Sequence, residues 1–185
     1  MKSKRRLLLL MVCLALIQVA VASAMIVRRE IALRYGRQFR FRITSYGPYT
    51  SAQGRYVPLV IESDNLPYVP GAETRPGRTV YALIEKDGEG FAQLRGRVGT
   101  RPAGDSWIQA SVRFVDRSNI RLRLPFDRYY VEAELAPRVE AACRRQNTAQ
   151  ARSAQITVRV RGGFAVLEDL YIDGRPVSEF LQTPR

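Results

Sequence analysis

The chain has 185 residues and a formal net charge of +13, from 30 Lys and Arg against 17 Asp and Glu, with two cysteines and no histidine. The lack of histidine excludes Ser–His and Cys–His nucleophile arrangements and His-ligated zinc. Cys13 falls inside an apolar N-terminal run, so Cys143 has no second cysteine to pair with in the remaining chain.

That run, Leu7–Val27, carries no charged residue and at 1.5 Å per residue spans roughly 31 Å, matching a hydrocarbon core of about 30 Å. Lys2, Lys4, Arg5 and Arg6 precede it, and no acid occurs before Glu30. The positive-inside bias then keeps residues 1–6 in the cytoplasm and exports the rest, with the bilayer contacted through Leu7–Val27. A cleaved signal peptide is the competing reading, because Ala22-Ser23-Ala24 has the A-x-A form. Met25-Ile26-Val27 continues the apolar run past that site, which favours a retained signal anchor in the inner (cytoplasmic) membrane. Cys13 lacks a lipobox setting and reads as a membrane-buried apolar residue.

All 17 acids and all but four basic residues follow residue 27, leaving that part with nine excess positive charges. Its roughly 158 residues suffice for one domain with a real core. Behind an anchor the available anions are phospholipid headgroups, acidic envelope polymers or an acidic partner, and no nucleic acid is expected. The basic residues alternate along strands instead of clustering, which reads as an Arg-rich solvated surface.

Residues 28–37 read as a juxtamembrane linker ending at Gly36. Gln38–Ile43 alternates with period two, Phe39, Phe41 and Ile43 against Arg40 and Arg42, which predicts a half-buried strand. After a loop around Gly47-Pro48, Tyr56–Glu62 predicts a second strand, at an edge or bulged because Pro58 cannot donate to a ladder. Ser63–Arg78 reads as a long surface loop. Thr79–Glu85 and Gly90–Val98 flank Lys86-Asp-Gly-Glu89 as a hairpin. Strands follow at Trp107–Val115 and Asn119–Leu124, and Pro125–Val131 leads into a helix over Glu132–Gln146 with Cys143 on its buried face. Gln155–Arg161 and Phe164–Ile172 flank Gly162-Gly163, Asp173-Gly174 turns into Pro176-Val177, and 182–185 is a tail. The sum is about eight strands and one exported helix over 38–181. It predicts a mostly β, antiparallel, barrel-like or sandwich domain behind an N-terminal transmembrane helix.

Gly54-Arg55-Tyr56-Val57-Pro58-Leu59-Val60-Ile61 resembles the signature strand of the GDYxxLxY family of bacterial membrane-anchored proteins. Gly54, Tyr56 and Leu59 match, while Arg55 stands where the family has Asp and Ile61 where it has the final Tyr. Thr79–Leu94, Pro125–Glu132 and Ile156–Gly174 are similar to the family's hairpin, aromatic segment and closing strand pair. The resemblance carries no activity with it and implies an accessory role beside a multi-pass membrane protein. Where the family's Asp has acid–base or metal chemistry, Arg55 would lack it, since a guanidinium offers no lone pair. The residues themselves favour a structural motif, with Gly54 at the start of the strand, Tyr56 covering one face and Leu59 and Ile61 in the core.

No catalytic constellation, cofactor or metal site emerges. Lys86 is the one lysine beyond the cytoplasmic tail and sits at a polar hairpin tip, where a Ser–Lys dyad would need it buried. Asp87-Gly-Glu89 reads as a solvated turn. Glu168 and Asp169 are strand neighbours and point to opposite faces. Phe126, Tyr129 and Tyr130 with Arg128 form a candidate partner surface, with core packing of two of the three rings as the alternative. The expectation is thus a non-catalytic accessory or interaction domain of an envelope complex, periplasmic or extracellular. The alternatives are an exported binder of anionic envelope lipid or polymer, and a degenerate signal-peptidase-like hydrolase.

Overall fold

The structure, a computed structural model, describes residues 2–45, 56–68, 75–132, 139, 154–172 and 174–182. Helix α1 (Lys2–Tyr35) runs without a break through the apolar segment and the residues read as a linker. Its Leu9–Tyr35 stretch is long and apolar enough to cross a membrane. Arg37, the last residue of the expected linker, already lies in β1 (Arg37–Ser45), so Gly36 alone separates helix from sheet.

That junction is tightly made. Ala32 is buried, and the Gly36 amide donates to its carbonyl at 2.9 Å. A Cβ at position 36 would fall 2.2 Å from the Ala32 oxygen and 3.2 Å from Arg159 Cβ. Arg159 donates from Nη1 to the Gly36 carbonyl at 3.3 Å while holding Glu168 at 3.0 Å through Nη2. Burial disfavours the Glu168 charge, but the hydrogen bonds from Arg159 and Gln38 and the Arg159 charge hold its carboxyl below the usual range.

The remaining strands among the described residues are β2 (Tyr56–Pro58), β3 (Val60–Ile61), β4 (Asn65–Pro67), β5 (Thr79–Lys86), β6 (Ala92–Val98), β7 (Trp107–Val115), β8 (Asn119–Arg123), β9 (Arg128–Tyr130), β10 (Gln155–Arg161), β11 (Phe164–Ile172) and β12 (Arg175–Pro176), followed by a short helix α2 (Val177–Gln182). The fold is mostly β and antiparallel, as the periodicity predicts. One five-stranded sheet has the order β12-β11-β10-β1-β3, a second β4-β8-β7-β5-β6, and β2 with β9 makes a two-stranded ribbon.

Both large sheets contribute to one core. Phe39, Phe41 and Ile43 alternate inward from β1, and Val80, Ala82 and Ile84 do so from β5. The second sheet carries register shifts at Leu83/Ile84 and at Val112/Phe114. Such bulges sharpen local bend and twist, and the sheet curls until its outer strands β4 and β6 approach one another across a cavity of about 370 Å³.

Several local readings are corrected. The single strand over Tyr56–Glu62 is two, because Pro58 ends β2 and the chain then moves to the edge of the first sheet as β3. The loop over Ser63–Arg78 holds β4, paired with β8. The segment Pro125–Val131 holds β9, Pro176 ends β12, and Val177 opens α2, which reaches into the expected tail at Gln182. Of the helix expected over Glu132–Gln146 only Glu132 and Val139 are described; Glu132 is not helical, whereas Val139 is helical and fully buried. Cys143 lies outside the described residues.

The turn Asp87-Gly-Glu89 is not simply solvated. Asp87 Oδ1 accepts from the amides of Glu89 (3.0 Å) and Phe91 (2.8 Å), which shapes the hairpin tip. Arg42 reaches across from β1 to Asp87 Oδ2 at 2.6 Å and Glu89 Oε2 at 2.5 Å, and its guanidinium lies 3.9 Å from the Phe91 ring centre. Burial works against the Asp87 charge, yet the two amides and Arg42 together hold its carboxyl below the usual range.

Two outcomes are expected. Gly163 has φ +80°, and a Cβ there would meet the Trp107 ring at 1.8 Å, whereas at Gly162 (φ +54°) the nearest atom is Arg101 Nη2 at 3.5 Å. Gly163→Ala therefore destabilises by about 3 kcal/mol and Gly162→Ala by about 1 kcal/mol, measured by urea unfolding. Because folding lowers the Asp87 pKa, the stability it contributes is present above the unfolded carboxylate range and lost as pH falls through the folded value. Melts of wild type and Arg42→Gln from neutral to acid pH thus converge as Asp87 protonates; a constant gap would contradict the assignment.

Candidate functional site

The two residue groups singled out in the sequence meet in the ribbon. β2 and β9 pair antiparallel, with Tyr56 opposite Tyr130, Val57 opposite Tyr129 and Pro58 opposite Arg128. Pro58 leaves no donor at its own position, and the next amide, Leu59, continues the pairing by donating to the Asp127 carbonyl at 2.9 Å. The chain then turns inward. Leu59 and Ile61 are buried in the core, consistent with alternation about Val60. Gly54 and Arg55 lie outside the described residues, and of Tyr56 only the backbone placement is described.

The aromatic segment divides by depth. Phe126 is buried, its ring 5.5 Å from that of Phe41. Tyr129 is half-buried against the core, while Tyr130 is 70% exposed beside the exposed Arg128, whose Nε lies 3.7 Å from Asp127. Two of the three rings thus serve packing, and the outward surface of β9 consists of Arg128 and Tyr130.

Tyr129 ties the ribbon to the first sheet. Its hydroxyl donates to Asp169 on β11. Burial, the Asp169 charge and this hydrogen bond push the Tyr129 pKa up. Burial also raises Asp169, aided by the neighbouring Glu168 charge and opposed by the Leu170 amide and the Tyr129 hydroxyl. Glu168 and Asp169 accordingly engage different partners, Arg159 and Gln38 for the first and Tyr129 for the second.

Elsewhere, Lys86 is exposed and lacks the burial that a Ser–Lys dyad demands. Among the described residues no three His, Cys, Asp or Glu side chains converge on a metal position. Several arginines lie over aromatic rings: Arg28 over Phe164, Arg101 over Trp107, Arg121 over Phe114 and Arg161 over Tyr35. Sequence reading missed these pairs, whose partners lie on other elements.

Tyr129→Phe should cost about 1 kcal/mol near neutral pH, because a half-buried Asp169 carboxylate loses its donor. Folding raises the Asp169 pKa, so its contribution is favourable when protonated and is lost as pH rises through the folded value; the Tyr129 hydroxyl lessens that loss. The difference between variant and wild type should therefore shrink on acidification, as read by thermal melts across pH.

The GDYXXLXY protein family model matches residues 18–170, from within α1 to near the end of β11, and the chain belongs to that family. No curated protein and no solved structure matches the chain.

Proposed function

We propose that this protein is a single-pass accessory module: α1 holds it in the cytoplasmic membrane, and the exported β-domain contacts a multi-pass membrane protein. The observation that carries the reading is the continuity of α1. A helix of 34 residues is about 51 Å long, well beyond the roughly 30 Å hydrocarbon core, and near its end Ala32 is buried where the helix meets the first sheet. The basic residues before the apolar run support export of everything after it. The unbroken helix across Ala22–Ala24 and its packing on the domain support a retained anchor.

The contact surface is the outer side of the ribbon, where Tyr130 and Arg128 combine an exposed ring and a planar cation. These residue types are enriched among those that dominate binding energy at protein interfaces. Tyr129, between them on β9, packs against the core, so the surface rests on a strand fixed to the core.

A photo-crosslinking residue at position 130 of the full-length protein in its native membrane tests this. One multi-pass protein should be recovered, and Tyr130→Ala, tested with a crosslinker at position 128, should reduce its yield at least tenfold with unchanged melting. Membrane-retained protein that crosslinks only to lipid would overturn the partner assignment. A mature chain starting at Met25 would overturn the anchor.

A further inference from the structure

A second cavity, of about 410 Å³, lies where α1 meets the domain. Arg28, the first residue after the uncharged Leu7–Val27 run, enters it from the helix, and its guanidinium is 4.4 Å from the Phe164 ring centre. The second sheet supplies the opposite wall. Thr79 is registered with Ser111, and Ser111 with Arg123, so these three residues form one row across β5, β7 and β8. Among the described residues no acid lines the cavity, and neither Arg28 nor Arg123 is paired with a carboxylate.

Two uncompensated guanidiniums and two hydroxyls lining one cavity suit a phosphate: planar forks donate to its charged oxygens and the hydroxyls complete its shell. Depth selects the source. Resting on the anchoring proposed above, Arg28 stands at the end of the bilayer-length segment, at the level of headgroups. Leu124, Pro125 and Ala165 add an apolar side for the glycerol and upper acyl chain. The missing carboxylate leaves a choline or ethanolamine ammonium without a counter-charge, so the ligand carries net negative charge.

We infer that the cavity between α1 and the second sheet binds the phosphate of one anionic phospholipid from the leaflet into which the domain is exported, through Arg28 and Arg123 with Thr79 and Ser111.

The test uses full-length protein in detergent with equimolar phosphatidylglycerol and phosphatidylcholine, read by native mass spectrometry. Wild type should retain one phosphatidylglycerol in preference to phosphatidylcholine. Arg28→Gln and Arg123→Gln should each weaken that preference about fivefold, while Arg117→Gln on the β7–β8 turn leaves it unchanged. Thr79→Glu, at an exposed position, should abolish it with no change in melting and so guards against a misfolded arginine variant. Equal retention by wild type and the double arginine variant overturns the site. Displacement of the lipid by millimolar inorganic phosphate overturns the lipid as ligand and leaves a free-anion site. Carbonate washing of neutral phosphatidylcholine vesicles reads anchoring separately: protein that stays bound without preferring phosphatidylglycerol loses only this inference, whereas protein that washes off loses the anchor and this inference with it.

Discussion

The Arg42 guanidinium is the point at which the two large sheets are held to each other by charge. It starts on β1, flanked by β10 and β3, and ends on the hairpin tip of β5 and β6 in the other sheet. Removing a guanidinium from water is costly, and here two carboxylates and the Phe91 face offset the cost. Asp87 does double duty, since the oxygen not facing Arg42 fixes the turn through two backbone amides. The loop that presents the carboxylate is therefore shaped by that same residue. The inward row of Phe39, Phe41 and Ile43 can then close against the second sheet from a fixed position.

Legibility of the fold from its sequence follows strand length. β7, β10 and β11 occupy the spans expected from the sequence, because seven to nine strand-forming residues bounded by turn signals are readable as one segment. β4, β9 and β12 have two or three residues each, too few for any period, and exist only because a distant strand supplies their hydrogen bonds. Pro58 shows the boundary between the two cases. Its missing donor is readable and correctly marks an irregular strand, yet the transfer of the chain from ribbon to sheet depends on where β9 and β1 lie.

The candidate site was legible in pieces and not as a whole. Its signature residues and its aromatic segment stand about seventy positions apart, and local pattern gives no register between them. Depth was likewise hidden: three neighbouring aromatic residues look alike in sequence, whereas the fold buries Phe126, half-buries Tyr129 and exposes Tyr130. The arginines repeat the lesson. Alternation places them on the outward side of strands, but the rings over which many of them lie come from other elements, so a pattern suggesting plain solvation conceals a set of cross-element contacts.

The single residue between α1 and β1 has a mechanical consequence. A flexible tether would let the domain wander over a hemisphere above its anchor, presenting every face in turn. Here Gly36 is wedged between the Ala32 carbonyl and β10, and Arg159 grips it from the side. On the anchoring proposed above, the domain stands on a stiff post, and its azimuth is that of the helix. Encounter with a neighbour in the same membrane becomes a matter of lateral diffusion and spin about one axis, and a change in helix tilt would be transmitted directly to the orientation of both sheets.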